Sequence, residues 1–321
     1  MTTTFSRRAA IGLGLSALAA PAILRASPAR TLRVGWQKGG LLGLVKGSGA
    51  FEQALEGQGI RVSWSEFTSG PPLLEALSAN ALDFGYTGNV PPIFAHAARG
   101  NLVFVGASQG SREGHAILVP KDSPLQSVEE LKGQTIAFKR GSSAHYATIK
   151  LLREAGLTLD DIRAQDLSPP DAIAAFDAGV IGAWTIWDPY FAMAEDRPNT
   201  RVLSTTEALE PEFSFYSANG DYARQNPELI AQLIGLVRQV GQQGQADLPG
   251  TIRTFAQETG LSEAVMERAL TRKEADLGRV GLIEPRHVTY EQGIADEFFD
   301  LGIIPRRLDI AAAVWTPQTA S

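Results

Sequence analysis

The 321-residue chain contains no cysteine. This excludes disulfides, thiolate metal sites, iron–sulfur clusters, cysteine nucleophiles and lipid attachment through an N-terminal cysteine. Histidine is scarce: His96, His115, His145 and His287 are all there is, and no two are spaced as a helical metal-binding pair. No metal and no other cofactor is expected. Positive charge is not in excess either, since 29 basic residues face 35 acidic ones. Phosphate backbones are bound by basic faces, so no nucleic-acid partner is expected. Beyond the first thirty residues, no apolar run approaches the ~20 residues of a membrane span. What remains is 44% hydrophobic and 20% charged residues, enough for a sizeable core and room for two lobes.

Residues 1–29 read as an address. Ser6-Arg7-Arg8 precedes an apolar run over 9–24, rich in Ala, Gly and Leu and interrupted by Pro21, and Ser27-Pro28-Ala29 follows. A basic start, a modest apolar stretch and a small-x-small end have the order of a secretory signal, and the paired arginines look like the twin-arginine type. Cleavage there leaves an acidic, soluble chain in the periplasm. Gly12-Leu13-Gly14-Leu15-Ser16-Ala17 fits a dinucleotide fingerprint, but it lies inside this segment with no strand before it and carries no such site.

From residue 31, short β-branched or aromatic runs alternate with helical patterns, which predicts an α/β fold with mostly parallel strands. Strands are expected at 32–36, 61–67, 82–86, 102–105, 116–119, 135–138, 182–186 and 214–218. Helices are expected at 42–58, 73–80, 91–98, 144–155 and 172–178. The last hundred residues read as helices, such as 227–239, 262–273 and 288–301, with no clear strand. An internal repeat runs through this pattern. Ser69-Gly70-Pro71-Pro72 and the helix after it align with Ser168-Pro169-Pro170-Asp171 and its helix, each opened by proline where a missing N–H costs nothing. At the same offset Asn89 falls on Asp188, and upstream Gln37-Lys38-Gly39-Gly40 falls on Lys139-Arg140-Gly141-Ser142. The same unit twice predicts two lobes with a cleft between them.

Ligands of parallel sheets bind beyond the carboxyl ends of the strands, where helix N-termini converge. The repeat therefore nominates Gln37 and Gly39, Thr87-Gly88-Asn89, Gly141-Ser142-Ser143 and Trp187-Asp188 as ligand-binding. Gly141 permits close backbone approach, and the first-turn N–H groups after it, with the helix dipole and two hydroxyls, suit a compact oxyanion. Ser142 and Ser143 could equally be plain caps. Trp187 either covers an apolar ligand part or packs the lobe; Asp188 either orients a ligand or caps the helix behind Pro189. His145, in the first turn, is a further candidate or a helix-face residue. Neither glycine loop has the spacing of a phosphate P-loop.

Val34-Gly35-Trp36-Gln37-Lys38-Gly39, Leu82 through Pro92, Lys139-Arg140-Gly141-Ser142-Ser143-Ala144-His145 and Ile186-Trp187-Asp188-Pro189-Tyr190 together resemble the periplasmic substrate-binding proteins of ABC importers. The similarity is strongest to the aliphatic sulfonate-binding branch of the taurine, nitrate and thiamine-precursor group, and it extends from Leu32 to Trp315. It implies a two-lobed type II periplasmic-binding-protein fold, with lobe 1 at 30–115 plus 219–321 and lobe 2 at 116–218. The crossings would fall near 116–120 and 213–218. It also implies a non-catalytic, monomeric receptor that takes a small sulfonate, lined by Gln37, Gly88, Ser142, Ser143, Trp187 and Asp188, and delivers it to a membrane permease. Taurine, a sulfate ester, nitrate or a thiamine precursor would be alternative ligands. Two positions depart from the family pattern, Asn89 and His115, each standing where relatives usually carry an acid. The competing class is a secreted serine esterase, because Gly106-Ala107-Ser108-Gln109-Gly110 fits a nucleophile elbow; that motif must lead into a helix, whereas a second strand is expected here.

Overall fold

A computed structural model describes residues 30–210 and 212–316; the expected signal, with Arg7 and Arg8, lies outside them. Eleven strands are found among the described residues. Those of the first sheet are β1 (Arg30–Trp36), β2 (Ile60–Glu66), β3 (Phe84–Thr87) and β4 (Leu102–Gln109). The chain then lays down β5 (His115–Pro120), β6 (Thr135–Phe138), β7 (Arg163–Asp166), β8 (Ala183–Trp187) and β9 (Thr200–Thr205) in a second sheet. It returns to the first with β10 (Phe213–Asn219) and β11 (Val280–Gly281).

The order of the first sheet is β2-β1-β3-β10-β4-β11 and that of the second is β7-β6-β8-β5-β9. Each begins with three parallel strands in equivalent order, and each continues with an antiparallel strand that has just arrived from the other sheet. The repeat seen in the sequence is thus a repeat of topology. Helices Gly70–Ser78 and Pro169–Asp177, both opened by proline, hold the corresponding place in each lobe.

The chain passes between the sheets at 110–114 and again between β9 and β10. Both passages come just before the segments in which the sequence reading put them. All of 213–218 pairs in the first sheet, with β3 and β4, so the expected boundary at 218 moves to the start of β10. Residue pattern cannot reveal this, because an aromatic run such as Phe213-Ser214-Phe215-Tyr216 looks the same whichever sheet accepts it.

The central strands are buried on both faces, as their near-continuous apolar runs require. In the first lobe Leu32, Val34, Phe84 and Tyr216 pack against Phe51 and Ile230. In the second, Trp184 and Ile186 face Phe176 and Phe191 on one side, while Ile117, Ile136 and Leu152 fill the other. The strands missing from the sequence reading are edges. β7 is Arg-Ala-Gln-Asp and wholly exposed, a polar edge that resists pairing with another chain. The helix expected over 42–58 is two, Leu42–Ser48 and Ala50–Glu56, separated by Gly49 at φ 66°, a left-handed conformation that glycine adopts without strain. The helix Leu248–Thr259 lies in the stretch read as helical, though it was given no bounds of its own; Asp247 caps it by accepting from Gly250 N, with proline in its first turn.

Candidate functional site

The loops after β1, β3, β6 and β8 enclose a cleft of about 230 Å³ between the two lobes. Seven of the predicted residues lie on its wall: Gln37, Gly39, Gly88, Ser142, Ser143, Trp187 and Asp188.

The polar end is built on the helix Ser143–Glu154. Ser142 precedes it as the cap residue, but its side chain makes no cap hydrogen bond, and its hydroxyl proton goes to Lys139 O at 2.7 Å rather than into the cleft. Ser142 N and His145 N are taken by Lys139 O and Ser142 O. Among the described residues this leaves Ser143 N and Ala144 N without partners, at the positive end of a three-turn helix. Gln37, nearly buried, donates its amide to Tyr86 O at 3.0 Å. The Tyr216 hydroxyl is buried on the cleft wall near Tyr86 and Ser108, with no hydrogen bond of good geometry among the described residues.

His115 was noted in the sequence only as a departure from the family, yet it reaches this end of the cleft. Its Nε2 lies 2.8 Å from Ser143 Oγ and its Nδ1 3.2 Å from Glu212 Oε2, while Lys150 Nζ holds Glu212 Oε1 at 3.0 Å. Burial lowers the His115 pKa; Glu212 opposes this and Lys150 adds to it, and the net direction is down. For Glu212, burial pushes the carboxyl up, but His115 when protonated and the Lys150 ammonium at 3.0 Å outweigh it, and the net direction is down. The signal for Glu212 was absent from the sequence, because it sits in the second crossing rather than at a strand end.

The other end of the cleft is apolar, walled by Phe255, Met266, Leu270, Leu277 and Val280 from the C-terminal part of lobe 1. Trp187 lies between the two ends, partly exposed and edge-on to Tyr190 with ring centroids 6.1 Å apart, so it packs the lobe and still lines the cleft.

Contacts close the lobes over this space. Gly39 and Gly88 are where backbones come nearest: a Cβ on Gly39 would stand 2.6 Å from Asp188 O, and one on Gly88 would stand 2.9 Å from Ser143 Cβ. Asp188 does not offer its carboxylate to the cleft. It accepts from Arg272 Nε at 2.9 Å and Nη2 at 3.3 Å, and from Ala192 N at 3.0 Å. The Arg272 guanidinium also pairs with Glu195 and lies 3.8 Å over the Phe191 ring. Beside it, Arg268 donates to Ala192 O at 3.1 Å. Burial pushes the Asp188 carboxyl up to about 6, although Arg272 opposes that rise. Arg272 was not legible in the sequence, because it lies 84 positions from its partner.

Four predicted residues stand behind the wall. Thr87 donates to Gly88 O, and fully buried Asn89 accepts from Val90 N and donates to the Tyr290 hydroxyl. Gly141 packs towards Phe94. His145 is buried, stacked on Phe138 at 5.0 Å between centroids, and accepts weakly from Gly141 N at 3.4 Å. These side chains shape the loops from behind, through capping and packing.

Burial lowers the His145 pKa from 6.5 to about 4. Above pH 6.5 the ring is neutral folded or unfolded, so it does not affect stability. As pH falls from 6.5 through about 4, the unfolded chain takes the proton first and the fold loses up to about 3 kcal/mol from this ring. His145→Phe is expected to remove most of that loss, read as unfolding free energy in urea at pH 7 and pH 4.5. An equal acid loss in both proteins would refute the assignment.

Ser108 is the second-last residue of β4 and runs on into a loop and β5, not a helix. Its hydroxyl donates to the Tyr86 hydroxyl at 3.4 Å, and no imidazole is bonded to it. The nucleophile-elbow reading is overturned.

The family described as "ABC transporter, phosphonate, periplasmic substrate-binding protein" matches residues 50–248. The putative aliphatic sulfonates-binding protein of Escherichia coli is 34% identical over 305 residues, 95% of this chain and 94% of that one. Its namesake in Bacillus subtilis is 30% identical over 289 residues, covering 89% and 86%. Among solved structures, the alkanesulfonate-binding protein SsuA of Xanthomonas axonopodis pv. citri, bound to MOPS, superposes with a TM-score of 0.84 at 37% identity, covering 90% of this chain and 99% of that one.

Proposed function

The chain belongs to the periplasmic substrate-binding proteins of ABC transporters, receptors that bind rather than transform, and on that premise we propose that it captures aliphatic sulfonates and delivers them to a permease. The observation that carries the reading is the two-ended cleft. Neutral donors at the N-terminus of helix Ser143–Glu154 face one end, and an apolar chamber of Phe255, Met266, Leu270 and Val280 forms the other. A three-oxygen head and an alkyl tail fit those ends in that order. Among the described residues Lys38 is the one lysine or arginine on the wall, and it donates to Thr259 O, while Arg268 and Arg272 nearby are tied to lobe 2. Holding a desolvated anion largely with backbone N–H and hydroxyl groups avoids burying a lysine or arginine against it and lets it go again at the permease.

Taurine fits less well. Its ammonium needs a free carboxylate, and the two acids on the wall, Asp188 and Asp276, are engaged by Arg272 and Arg279. The ligand set proposed is Gln37, Gly39, Gly88, Ser143 and Trp187 in direct contact, with Ser142 and Asp188 shaping the loops around them. Lobe 1 (30–109 with 213–316) and lobe 2 (115–205) close about the two crossings, each rigid on its own core. Export as a folded monomer through the twin-arginine route, with cleavage near residue 29, completes the proposal.

The test is thermal unfolding of ligand-stripped protein with alkanesulfonates of several lengths, taurine, sulfate, nitrate and a thiamine precursor. A ligand at 100 times its Kd stabilises the fold by about 2.7 kcal/mol, a shift of roughly 4 °C for a protein of this size. Alkanesulfonates are expected to shift it, taurine less than an alkanesulfonate of the same length. A shift with nitrate or the thiamine precursor alone would leave the family standing and remove the sulfonate.

A further inference from the structure

Ser143 has one hydroxyl proton, and His115 decides where it points. Glu212 is ionised and faces His115 Nδ1 at 3.2 Å, so Nδ1 carries a hydrogen. When the ring is neutral, Nε2 is then a bare lone pair 2.8 Å from Ser143 Oγ. The hydroxyl must donate to it and shows the cleft only lone pairs. When the ring is an imidazolium, Nε2–H donates to Ser143 Oγ, and the hydroxyl proton is free to point at a ligand oxygen. The remaining tautomer, with hydrogen on Nε2 alone, would set the Nδ1 lone pair against a carboxylate.

We propose that His115 is the specificity-determining residue of the cleft, matching the proton on the protein to the proton on the ligand. A sulfonate head has no hydrogen and clashes with Ser143 lone pairs, so it binds together with a proton taken up by His115. An alkylphosphonate monoanion carries one O–H, donates it to Ser143, and binds with the ring neutral. The inference rests on the reading above that the ligand head lies against Ser143. In the free protein burial holds His115 neutral near pH 7, so sulfonate must draw its proton from solvent.

The charged groups facing His115 are Glu212 from the second crossing and Lys150 from helix Ser143–Glu154. Tyr290, from helix Pro285–Asp300, acts on Glu212 from beyond it, and burial keeps its hydroxyl protonated. Of the neighbours along the chain, Arg112 donates to Glu207 O and Leu209 O, and Glu113 accepts from Lys273 N. Asp188, one residue past the strand partner of His115, titrates with the lobe latch. Because it serves either ligand alike, the ratio of two affinities removes its contribution.

The experiment is titration calorimetry of butanesulfonate and butylphosphonate at pH 6.5 and 7.5, in buffers of differing ionisation enthalpy, which counts protons taken up. Butanesulfonate is expected to take up close to one proton and to lose about tenfold in affinity over that unit of pH. Butylphosphonate is expected to take up fewer protons and to change less than threefold. In Ser143→Ala the sulfonate's proton uptake should vanish. Sulfonate binding without uptake, equal pH dependence of both ligands, or uptake that survives in Ser143→Ala overturns the proposal alone. No binding of either ligand overturns the functional reading beneath it as well.

Discussion

Gly39→Val should bind alkanesulfonates at least 100-fold more weakly than the natural protein while unfolding at nearly the same temperature. The position has no room for any side chain: a Cβ would stand 2.6 Å from Asp188 O and 3.3 Å from Pro189 Cδ. Both atoms belong to the opposite lobe, and the nearer is backbone, which cannot rotate out of the way. Valine therefore acts as a wedge between lobes and leaves each core as it was. Fold stability should change by no more than about 0.5 kcal/mol, as for a surface substitution, whereas 100-fold in affinity corresponds to roughly 2.7 kcal/mol lost from the bound, closed form. Calorimetry and a melting curve on the same preparation separate the two. Affinity within threefold of the natural protein would mean that ligand is held without the approach of Gly39 to Asp188. Gly88→Ala meets only the Ser143 side chain and should cost less.

The second large effect is expected at Arg272→Ala, which removes the ionic clasp between lobes. The guanidinium and both its carboxylate partners, Asp188 and Glu195, are largely out of solvent. Taking away one member of a buried pair strands the other, typically at 3–5 kcal/mol. Here opening the lobes re-solvates Asp188, so the penalty falls on the closed form and part of it is recovered. Affinity should fall about 100-fold, with the melting temperature of the ligand-free protein moving little. Arg272→Lys should recover only part, since an ammonium can neither fork onto Asp188 and Glu195 nor lie flat on Phe191. Measuring Kd for all three proteins at two salt concentrations decides it. An Arg272→Ala protein of unchanged affinity would show that the clasp contributes nothing to closure. The carboxyl of Asp188, already near 6, gives the same clasp a weakness to acid: below that pH it becomes neutral and the pair is lost.

Each of these effects depends on residues distant in sequence, and that divides what could be read early from what could not. Periodicity and turn chemistry are local, so the α/β class, the strand Thr135–Phe138 and helices such as Ser143–Glu154 were legible to within a residue or two. The repeat is a comparison of local patterns, and it correctly placed equivalent loops at the mouths of both sheets. The edge strand β7 escaped because solvent takes the place of the apolar face that marks a strand, and β9 because it has only two apolar residues, Val202 and Leu203, side by side without alternation.

Sequence alone therefore determined that the chain folds as two copies of one unit with a cleft between glycine-bearing loops. It did so because hydrophobic period, proline openings and loop glycines act over a few residues. Tertiary structure alone decided which groups around that cleft are free. Asn89 and His145 turn away into capping and packing, and Asp188 is claimed by Arg272 from 84 positions along the chain. Glu212 arrives on a crossing segment to fix the proton of His115, and through it the hydroxyl of Ser143. Whether a side chain meets ligand depends on what else reaches it first, and that is settled only when the lobes pack.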